Sequence, residues 1–290
     1  MEVNNNKFAV FILTYGRPNN VKTYKTLKRF GYTGKIYLIC SDDDKQIEAY
    51  KENYKKEVVV FSKDKYKDTF DIADNFDKMD SVIYARNACF DIAPELGIIY
   101  FLQLDDDYTD FSYRFDSDFI YNTGRGYINK VDSIFISLLN FYKTIKAKSI
   151  AISQNGDWIG GKDSAWSKQL SLKRKCMNSF FCSTERPFKF IGRMNDDVNT
   201  YVSLGSKGDL FFTIPNVSLK QTDTQSNSGG LTEMYLSQGT YVKSFYTVMI
   251  SPSSVTVGML NTEKSRLHHR ISWNNTVPKI LNEKYKNGTK

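Results

Sequence analysis

Residues 98–107, IIYFLQLDDD, decide the fold, because an apolar run ends there in three consecutive aspartates. A short continuous apolar run is typical of a strand that is buried on both faces of a sheet. The three carboxylates repel one another, and a strand alone does not require them. The stretch therefore predicts a buried strand that carries a group of acids at its carboxyl end.

Asp105 and Asp107 are candidate metal ligands. Two carboxylates spaced i and i+2 around a tight bend can converge on one hard cation, and carboxylate oxygens suit Mg²⁺ or Mn²⁺. Such a cation can bridge the two phosphates of a nucleotide and neutralise the charge that develops as a diphosphate leaves. The alternative is a solvated turn, because acids at an exposed strand end cost little.

The sequence before this strand alternates strand and helix patterns. That order is typical of an α/β fold with a mostly parallel sheet and helices on both faces. Such sheets bind ligands beyond the carboxyl ends of their strands, where residues 15–17, 42–44 and 105–107 are predicted to lie. The predicted strands are residues 8–13, 35–40, 58–61 and 98–104, and the predicted helices are residues 18–31, 45–54 and 82–93.

The second half of the chain is less regular. It contains an amphipathic helix over residues 134–145, a strand over residues 149–153 and a short helix after Asn195. Residues 154–187 are predicted to be loop-like, and residues 221–230, QTDTQSNSGG, have the most loop-like composition of the chain. Neither a repeat nor a linker divides the sequence, so we expect one domain.

Other polar residues could bind ligands, and each has a structural alternative. Asp42 could contact the base or ribose of a nucleotide, or cap the helix that follows it. Arg86, in the predicted helix before the aspartate strand, could clamp a diphosphate or remain a surface charge. Asp196 and Asp197 could be helix caps, or could supply the general base that takes a proton from an acceptor hydroxyl.

The remaining candidates lie in a loop and near the end of the sequence. Trp158 could stack on a sugar or base, or pack in the core. Lys173 and Arg174 could contact a phosphate backbone or stay solvated. His268 and His269 could ligate a metal, contact phosphate or lie on the surface.

The composition of the chain limits the classes of binding partner and the cell compartment that we expect. The chain has 290 residues, with 40 Lys+Arg against 32 Asp+Glu and a net charge of +8. A basic surface favours polyanions such as nucleic acid, although an AT-rich genome would give a similar Lys-rich composition.

The four cysteines form no Cys-x-x-Cys pair, which argues against structural zinc, and Cys40 and Cys89 lie in apolar runs, which indicates a reducing compartment. No apolar run is long enough for a signal peptide or a membrane span, so we expect a cytoplasmic protein without a membrane partner.

Four segments in this order resemble the GT-A-fold, nucleotide-sugar-dependent glycosyltransferases: residues 14–18 (TYGRP), 85–87 (ARN), 104–107 (LDDD) and 195–197 (NDD). The resemblance spans residues 8–205. It implies a GT-A-like, Rossmann-type, mostly parallel sheet flanked by helices, with a less regular acceptor-side second half.

The resemblance also implies roles for single residues. In that family the acid pair at the strand end binds the metal on the donor diphosphate, which implies Mn²⁺ or Mg²⁺ at Asp105 and Asp107, with Asp106 facing the donor sugar. The late acid is the base in inverting members, which maps to Asp196 or Asp197, although this chain has Asn-Asp-Asp where Glu-Asp is frequent. The other implied roles are donor contacts from Thr14, Tyr15, Arg17, Asp42 and Arg86, and a metal role for His268 or His269.

Within that fold, residues 85–87 followed by residues 104–111, LDDDYTDF, look most similar to the TET/JBP-associated glycosyltransferases. These are phage and kinetoplastid-type enzymes that put sugar on hydroxymethylated pyrimidines in DNA. The resemblance implies a nucleotide-sugar donor such as a UDP-sugar, and a DNA acceptor that Trp158, Lys173 and Arg174 would contact. A viral protein of this kind would act in the host cytoplasm.

The same resemblance divides the expected single domain, residues 1–290, into three parts. They are a nucleotide-sugar-binding half over residues 1–115, an acceptor-side half over residues 116–250 and a C-terminal segment over residues 251–290.

Other functions fit parts of the sequence. Residues 105–109, DDDYT, also match the Asp-x-Asp-x-Thr signature of haloacid-dehalogenase-type phosphatases, with Asp105 as nucleophile and Asp107 as acid and base. That signature normally ends the first strand of its sheet, whereas a complete βαβ unit precedes it here. A glycosyltransferase with a polysaccharide or protein acceptor, and a non-catalytic nucleic-acid-binding domain, are further alternatives.

Overall fold

The structure is a computed structural model that describes residues 7–74, 79–222, 242–260 and 265–276, with Ile280, Glu283 and Lys286. Within these residues a nine-stranded sheet has the strand order β3-β2-β1-β4-β8-β7-β9-β5-β6. Two apolar cores cover its two faces. The predicted α/β fold, with a central sheet flanked by helices, is confirmed.

The first half of the sheet is parallel. Its strands are β1 (Phe8–Leu13), β2 (Lys35–Ser41), β3 (Val58–Phe61) and β4 (Tyr100–Asp105). The helices between them are α1 (Lys22–Arg29), α2 (Ile47–Tyr54) and α3 (Ile83–Glu95). All four predicted strands and all three predicted helices are present, because each has a strong local pattern. Helix α1 begins four residues later than predicted, since the Pro18 carbonyl accepts hydrogen bonds from the Asn53 and Tyr54 side chains.

The second half mixes strand directions. Its elements are β5 (Tyr108–Phe115), β6 (Tyr121–Tyr127), α4 (Val131–Thr144), β7 (Ser149–Gln154), β8 (Ser179–Ser183), α5 (Asp196–Ser206) and β9 (Phe211–Gln221). Strands β7 and β9 are parallel, and the other pairs are antiparallel. Residues 242–250 are helical (α6), and β10 (Val255–Leu260), β11 (Arg266–Ile271) and α7 (Trp273–Thr276) follow.

The prediction of a loop over residues 154–187 is wrong for β8. This strand, SFFCS, is buried at every position and pairs with β4 on one side and β7 on the other. Its conformation depends on partners far away in the sequence, which a local pattern does not reveal. The predicted loop over residues 221–230 lies outside the described residues from position 223 onward.

Register brings the candidate residues to one edge of the sheet. Leu13 pairs with Ile39 of β2 and with Asp105 of β4, so the chain leaves these strands at the same level. Residues 14–17, 41–44 and 105–107 therefore lie together beyond the parallel strands. In the part of the chain that the structure describes, no helix has the length and apolar character to cross a membrane.

The Phe181 side chain in β8 tests this core. Phe181 is 1% exposed, stacks on Phe8 and meets Phe135 edge-on. Phe181→Ala should cost about 3–5 kcal/mol in the free energy of unfolding, because it removes a large buried ring. Phe119→Ala is the control, since Phe119 is 67% exposed and its loss should change stability by less than about 0.5 kcal/mol. Equal losses in denaturant titrations would contradict the buried position of β8.

Candidate active site

The start of α1 holds the backbone of the three-aspartate turn. The Thr23 amide donates to the carbonyl of Asp106, and its hydroxyl donates to the carbonyl of Asp105. The same hydroxyl accepts a hydrogen bond of 2.9 Å from the amide of Tyr108. One threonine therefore fixes both ends of the bend, and no local sequence pattern marks it for this role.

A buried guanidinium joins the end of β4 to the start of α5. Arg86 is 1% exposed; its Nη2 donates to Asp105 Oδ1 at 3.0 Å, and its Nε lies 2.7 Å from Asp196 Oδ2. The rings of Phe180 and Phe190 lie against its face, with centroids 5.1 and 5.6 Å away. The structure thus brings one predicted metal ligand and one predicted base onto a single cation.

The acids around Arg86 carry more negative charge than its single positive charge can neutralise. Burial raises the pKa of Asp105 to about 6, against the opposing effect of Arg86, and the charges of Asp107 and Asp197 raise it further. Burial and the neighbouring Asp196 raise the pKa of Asp197 to about 6. Burial also raises the pKa of Asp107 and of Asp196, the latter against the effect of Arg86. The cluster therefore has excess negative charge that an added cation would relieve.

A metal fits this cluster only with help from other ligands. Within the described ranges, no group of three or more His, Cys, Asp or Glu side chains could hold an ion. The buried Oδ1 of Asp107 has no hydrogen-bond partner among the described residues, and Asp105 lies two positions away. Mg²⁺ is commonly held by one or two carboxylates plus substrate phosphates and water, so Asp105 and Asp107 would be a sufficient protein contribution.

Asp106 holds the loop after β1. It is 6% exposed, accepts from the Thr14 hydroxyl at 2.7 Å and from Arg17 Nη1 at 3.0 Å. Thr14 also contacts the hydroxyl of Tyr50, which accepts from the amide of Arg17. Both carboxylate oxygens of Asp106 are thus bonded inside the protein, so the structure directs this side chain to the loop over residues 14–17.

The three aspartates that follow β2, residues 42–44, contact different groups. Asp44 is buried, accepts from the amides of Gly16 and Gln46, and so holds Gly16 at a φ of +71°. Asp43 pairs with Lys63 Nζ at 2.6 Å. Asp42 is exposed and accepts from the amide of Lys63. Of the three, Asp42 is therefore the one placed to meet a ligand.

Tyr15 presents an aromatic ring at the same edge. Its side chain is 49% exposed, and the Lys63 ammonium lies 5.2 Å from the ring centroid. Burial, together with Asp43 and Asp44, raises the pKa of Tyr15. An exposed ring at the same sheet edge as Asp42 suits a nucleoside.

The predicted acceptor residues contact other parts of the fold. Trp158 is 5% exposed and packs in an aromatic cluster, stacked on Tyr121 with centroids 5.2 Å apart. Lys173 forms an isolated bridge with Thr213. Arg174 lines a small cavity beside Trp273. Among the described residues, no hydrogen bond or ion pair joins these side chains to the carboxylate cluster.

The two histidines lie on β11, with ring centroids 4.2 Å apart. Burial lowers the pKa of both, that of His269 to about 3. Lys243 and Lys175 lower both further. Cations surround this pair, and their predicted metal role stays a prediction.

Arg86→Met tests the pairing of the buried charges. The change leaves Asp105 and Asp196 without their cation and should cost about 3–5 kcal/mol in unfolding free energy near neutral pH. The folded-state pKa of the freed acids would rise further above the unfolded value, so the folded state would bind protons more tightly. The loss should therefore shrink as pH falls from about 7.5 to about 5.

Arg29→Met is the control for this substitution, because Arg29 is an exposed cation. It should change stability by less than about 0.5 kcal/mol at either pH. A loss for Arg86→Met that is the same at both pH values would contradict the account.

Asp197→Asn tests the raised pKa of this acid directly. Its folded pKa of about 6 exceeds the ordinary value of 3.8, so its ionisation destabilises the folded state as pH rises through that window. The stability of the variant relative to the wild type should increase between about pH 4 and 7, by up to about 3 kcal/mol. Denaturant titrations across that range measure the difference, and a difference independent of pH would contradict the assignment.

Several solved structures are similar to this chain, all distantly. Staphylococcus aureus TarS is 12% identical with a TM-score of 0.42, over 75% of this chain and 37% of its own. TarS residues 1–349 in complex with UDP-GlcNAc are 12% identical with a TM-score of 0.42, over 83% of this chain and 66% of that one. A putative nucleotide-diphospho-sugar transferase from Desulfovibrio desulfuricans G20 is 10% identical with a TM-score of 0.43, over 87% and 95%.

The chain thus spans little more than a third of full TarS, and no curated protein matches it. The TET-associated glycosyltransferase family matches residues 8–230, more than three quarters of the chain. The chain therefore belongs to the TET-associated glycosyltransferase family.

Proposed function

We propose that this protein is a metal-dependent glycosyltransferase that moves a sugar from a UDP-sugar to a hydroxymethylated pyrimidine in DNA. Family membership supports the reaction class, and the net charge of +8 supports a polyanionic acceptor. The observation that carries the proposal is the bridge through Arg86, which joins Asp105 to Asp196. It brings the acids suited to a metal-bound diphosphate and the acids suited to proton transfer into one cluster.

The donor would lie across the carboxyl edge of the parallel strands. Tyr15 and Asp42 are the exposed side chains there that suit the nucleoside. Arg17 is held by its 3.0 Å ion pair with Asp106 and would face the diphosphate, where a guanidinium binds phosphate oxygens well. Thr14 keeps Asp106 in place for this purpose.

Asp105 and Asp107 would hold Mn²⁺ or Mg²⁺. The unpartnered Oδ1 of Asp107 and the excess acid around Arg86 are the features that fit a hard cation. When bound, the metal would neutralise charge on the departing diphosphate. In this proposal Arg86 keeps the Asp105 carboxylate oriented and offsets its repulsion from Asp196.

Asp197 is the better placed of the two candidate bases. The ion pair of Asp196 with Arg86 stabilises the ionised form and so weakens Asp196 as a proton acceptor. Asp197 accepts from the amide of Val198, and its pKa of about 6 is close to that of an efficient base near neutral pH. In an inverting reaction Asp197 would take the proton from the hydroxymethyl group.

The phosphatase alternative fits the structure less well. Its nucleophile would be Asp105, whose Oδ1 is bonded to buried Arg86. A non-catalytic domain would not need an acidic cluster with raised pKa values, which lowers the stability of the fold at neutral pH.

Incubation of hydroxymethylated DNA with a panel of nucleotide sugars and Mn²⁺ tests the function. Mass spectrometry should show a gain of one sugar per modified base, and EDTA should abolish it. Asp197→Asn should lower kcat by about 100-fold or more, because a general base typically contributes that much. Glu48→Gln removes an exposed acid on α2 and is the matched control, with activity unchanged.

Each contrary result has a distinct meaning. Donor hydrolysis with unmodified DNA would redirect the acceptor to a polysaccharide or protein. Cleavage of a generic phosphate ester that Asp105→Asn abolishes would favour the phosphatase. A lack of both transfer and donor hydrolysis with Mn²⁺ present would contradict a glycosyltransferase.

A further inference from the structure

Helix α6 is bonded to the start of α5 and carries the hairpin that follows it. Asn195, which precedes the acid pair and has a φ of +53°, donates from Nδ2 to the carbonyl of Lys243 at 2.8 Å and to the hydroxyl of Thr247 at 3.1 Å. The Ser244 hydroxyl in turn donates to the carbonyl of Leu267 in β11 at 2.9 Å. The β10–β11 hairpin is therefore attached beside Asp196 and Asp197, although it lies outside the residues that the family matches.

One face of β11 carries a row of basic side chains. Because side chains alternate along a strand, Arg266, His268 and Arg270 share a face, with successive members about 7 Å apart. Both arginines are exposed. The regularly spaced phosphates of a nucleic-acid strand could each meet one of these basic side chains.

Gly258 makes room for the row. It pairs with His268 across the hairpin, and a Cβ at this position would collide with the guanidinium of Arg270. Arg270 extends across β10 here and donates from Nη2 to the carbonyl of Met259 at 2.6 Å. The guanidinium is thereby fixed on the same side of the hairpin as His268.

The charges near the histidines favour an anion. Arg266, Lys243 and Lys175 all act on His268, and Lys243 and Lys175 act on His269. The acids on the neighbouring elements already interact with other cations. Asp157 pairs with Lys175, and Asp196 and Asp197 face Lys243 from α5. These positive charges would repel a metal ion at the histidines and would attract a phosphate.

We propose that Arg266, His268 and Arg270 bind the phosphodiester backbone of the acceptor DNA beside the acid pair. The inference deepens the proposed function and rests on its DNA acceptor. Arg266 and Arg270 supply the charge, and neutral His268 donates a hydrogen bond between them. A strand seated here runs past Asp197, so a hydroxymethyl group on it comes within reach of the base. His268 then lines a phosphate site instead of completing the metal shell.

Fluorescence anisotropy with a labelled duplex that contains hydroxymethylcytosine tests the site. The logarithm of the binding constant falls linearly with the logarithm of salt concentration, with a slope of about −0.9 per phosphate contact. Arg266→Gln should weaken binding and reduce the size of the slope by about 0.9. Gly258→Ala should do the same without a change of charge, because its methyl group displaces the Arg270 guanidinium.

Lys130→Gln is the matched control, since Lys130 is an exposed cation at the start of α4, which packs on the opposite face of the sheet. It should leave the slope unchanged, and melting temperatures of all variants verify folding. If wild-type protein binds DNA but Arg266→Gln behaves like Lys130→Gln, this site is wrong while the proposed DNA acceptor stands. If wild-type protein hydrolyses donor but does not bind DNA, both are wrong.

Discussion

The buried guanidinium of Arg86 is the interaction on which the rest of the site depends. A buried cation is costly unless it is paired, and Arg86 is paired with Asp105 of β4 and Asp196 of α5. Two phenylalanine rings cover its remaining surface. Helix α3, strand β4 and helix α5 are thereby joined at one point, so the positions of the proposed metal ligand Asp105 and of the acid pair at the start of α5 are coupled.

The three consecutive aspartates at the end of β4 have three different environments. Asp105 bonds to Arg86, Asp106 holds the loop after β1, and Asp107 keeps one oxygen unpartnered among the described residues. A single cation can thus neutralise the first and third, while the second is already satisfied by Thr14 and Arg17. The fold contains the repulsion within the triple, and the remaining negative charge supports the proposed metal site.

The sequence predicted the parallel half of the fold because each element there has a strong local pattern. It missed β8, which is buried between β4 and β7, since pairs such as Leu102 with Phe181 join residues that are distant in the chain. The acids at the strand ends were predictable from topology, because strands of a parallel sheet end at one edge. The partners of Arg86 were not, since Asp196 lies more than a hundred residues away. Trp158 shows another limit: the sequence left open whether this tryptophan stacks on a ligand or packs in the core, and the structure shows that neighbouring rings bury it.

The central claim is that Asp105 and Asp107 bind a divalent cation together with the diphosphate of the donor. Calorimetric titration of the protein with UDP, in Mn²⁺ and in EDTA, tests it most directly. The account predicts one UDP per chain in Mn²⁺, and loss of that binding in EDTA and in Asp107→Asn. Equal affinity for UDP in EDTA and in Mn²⁺ would contradict it.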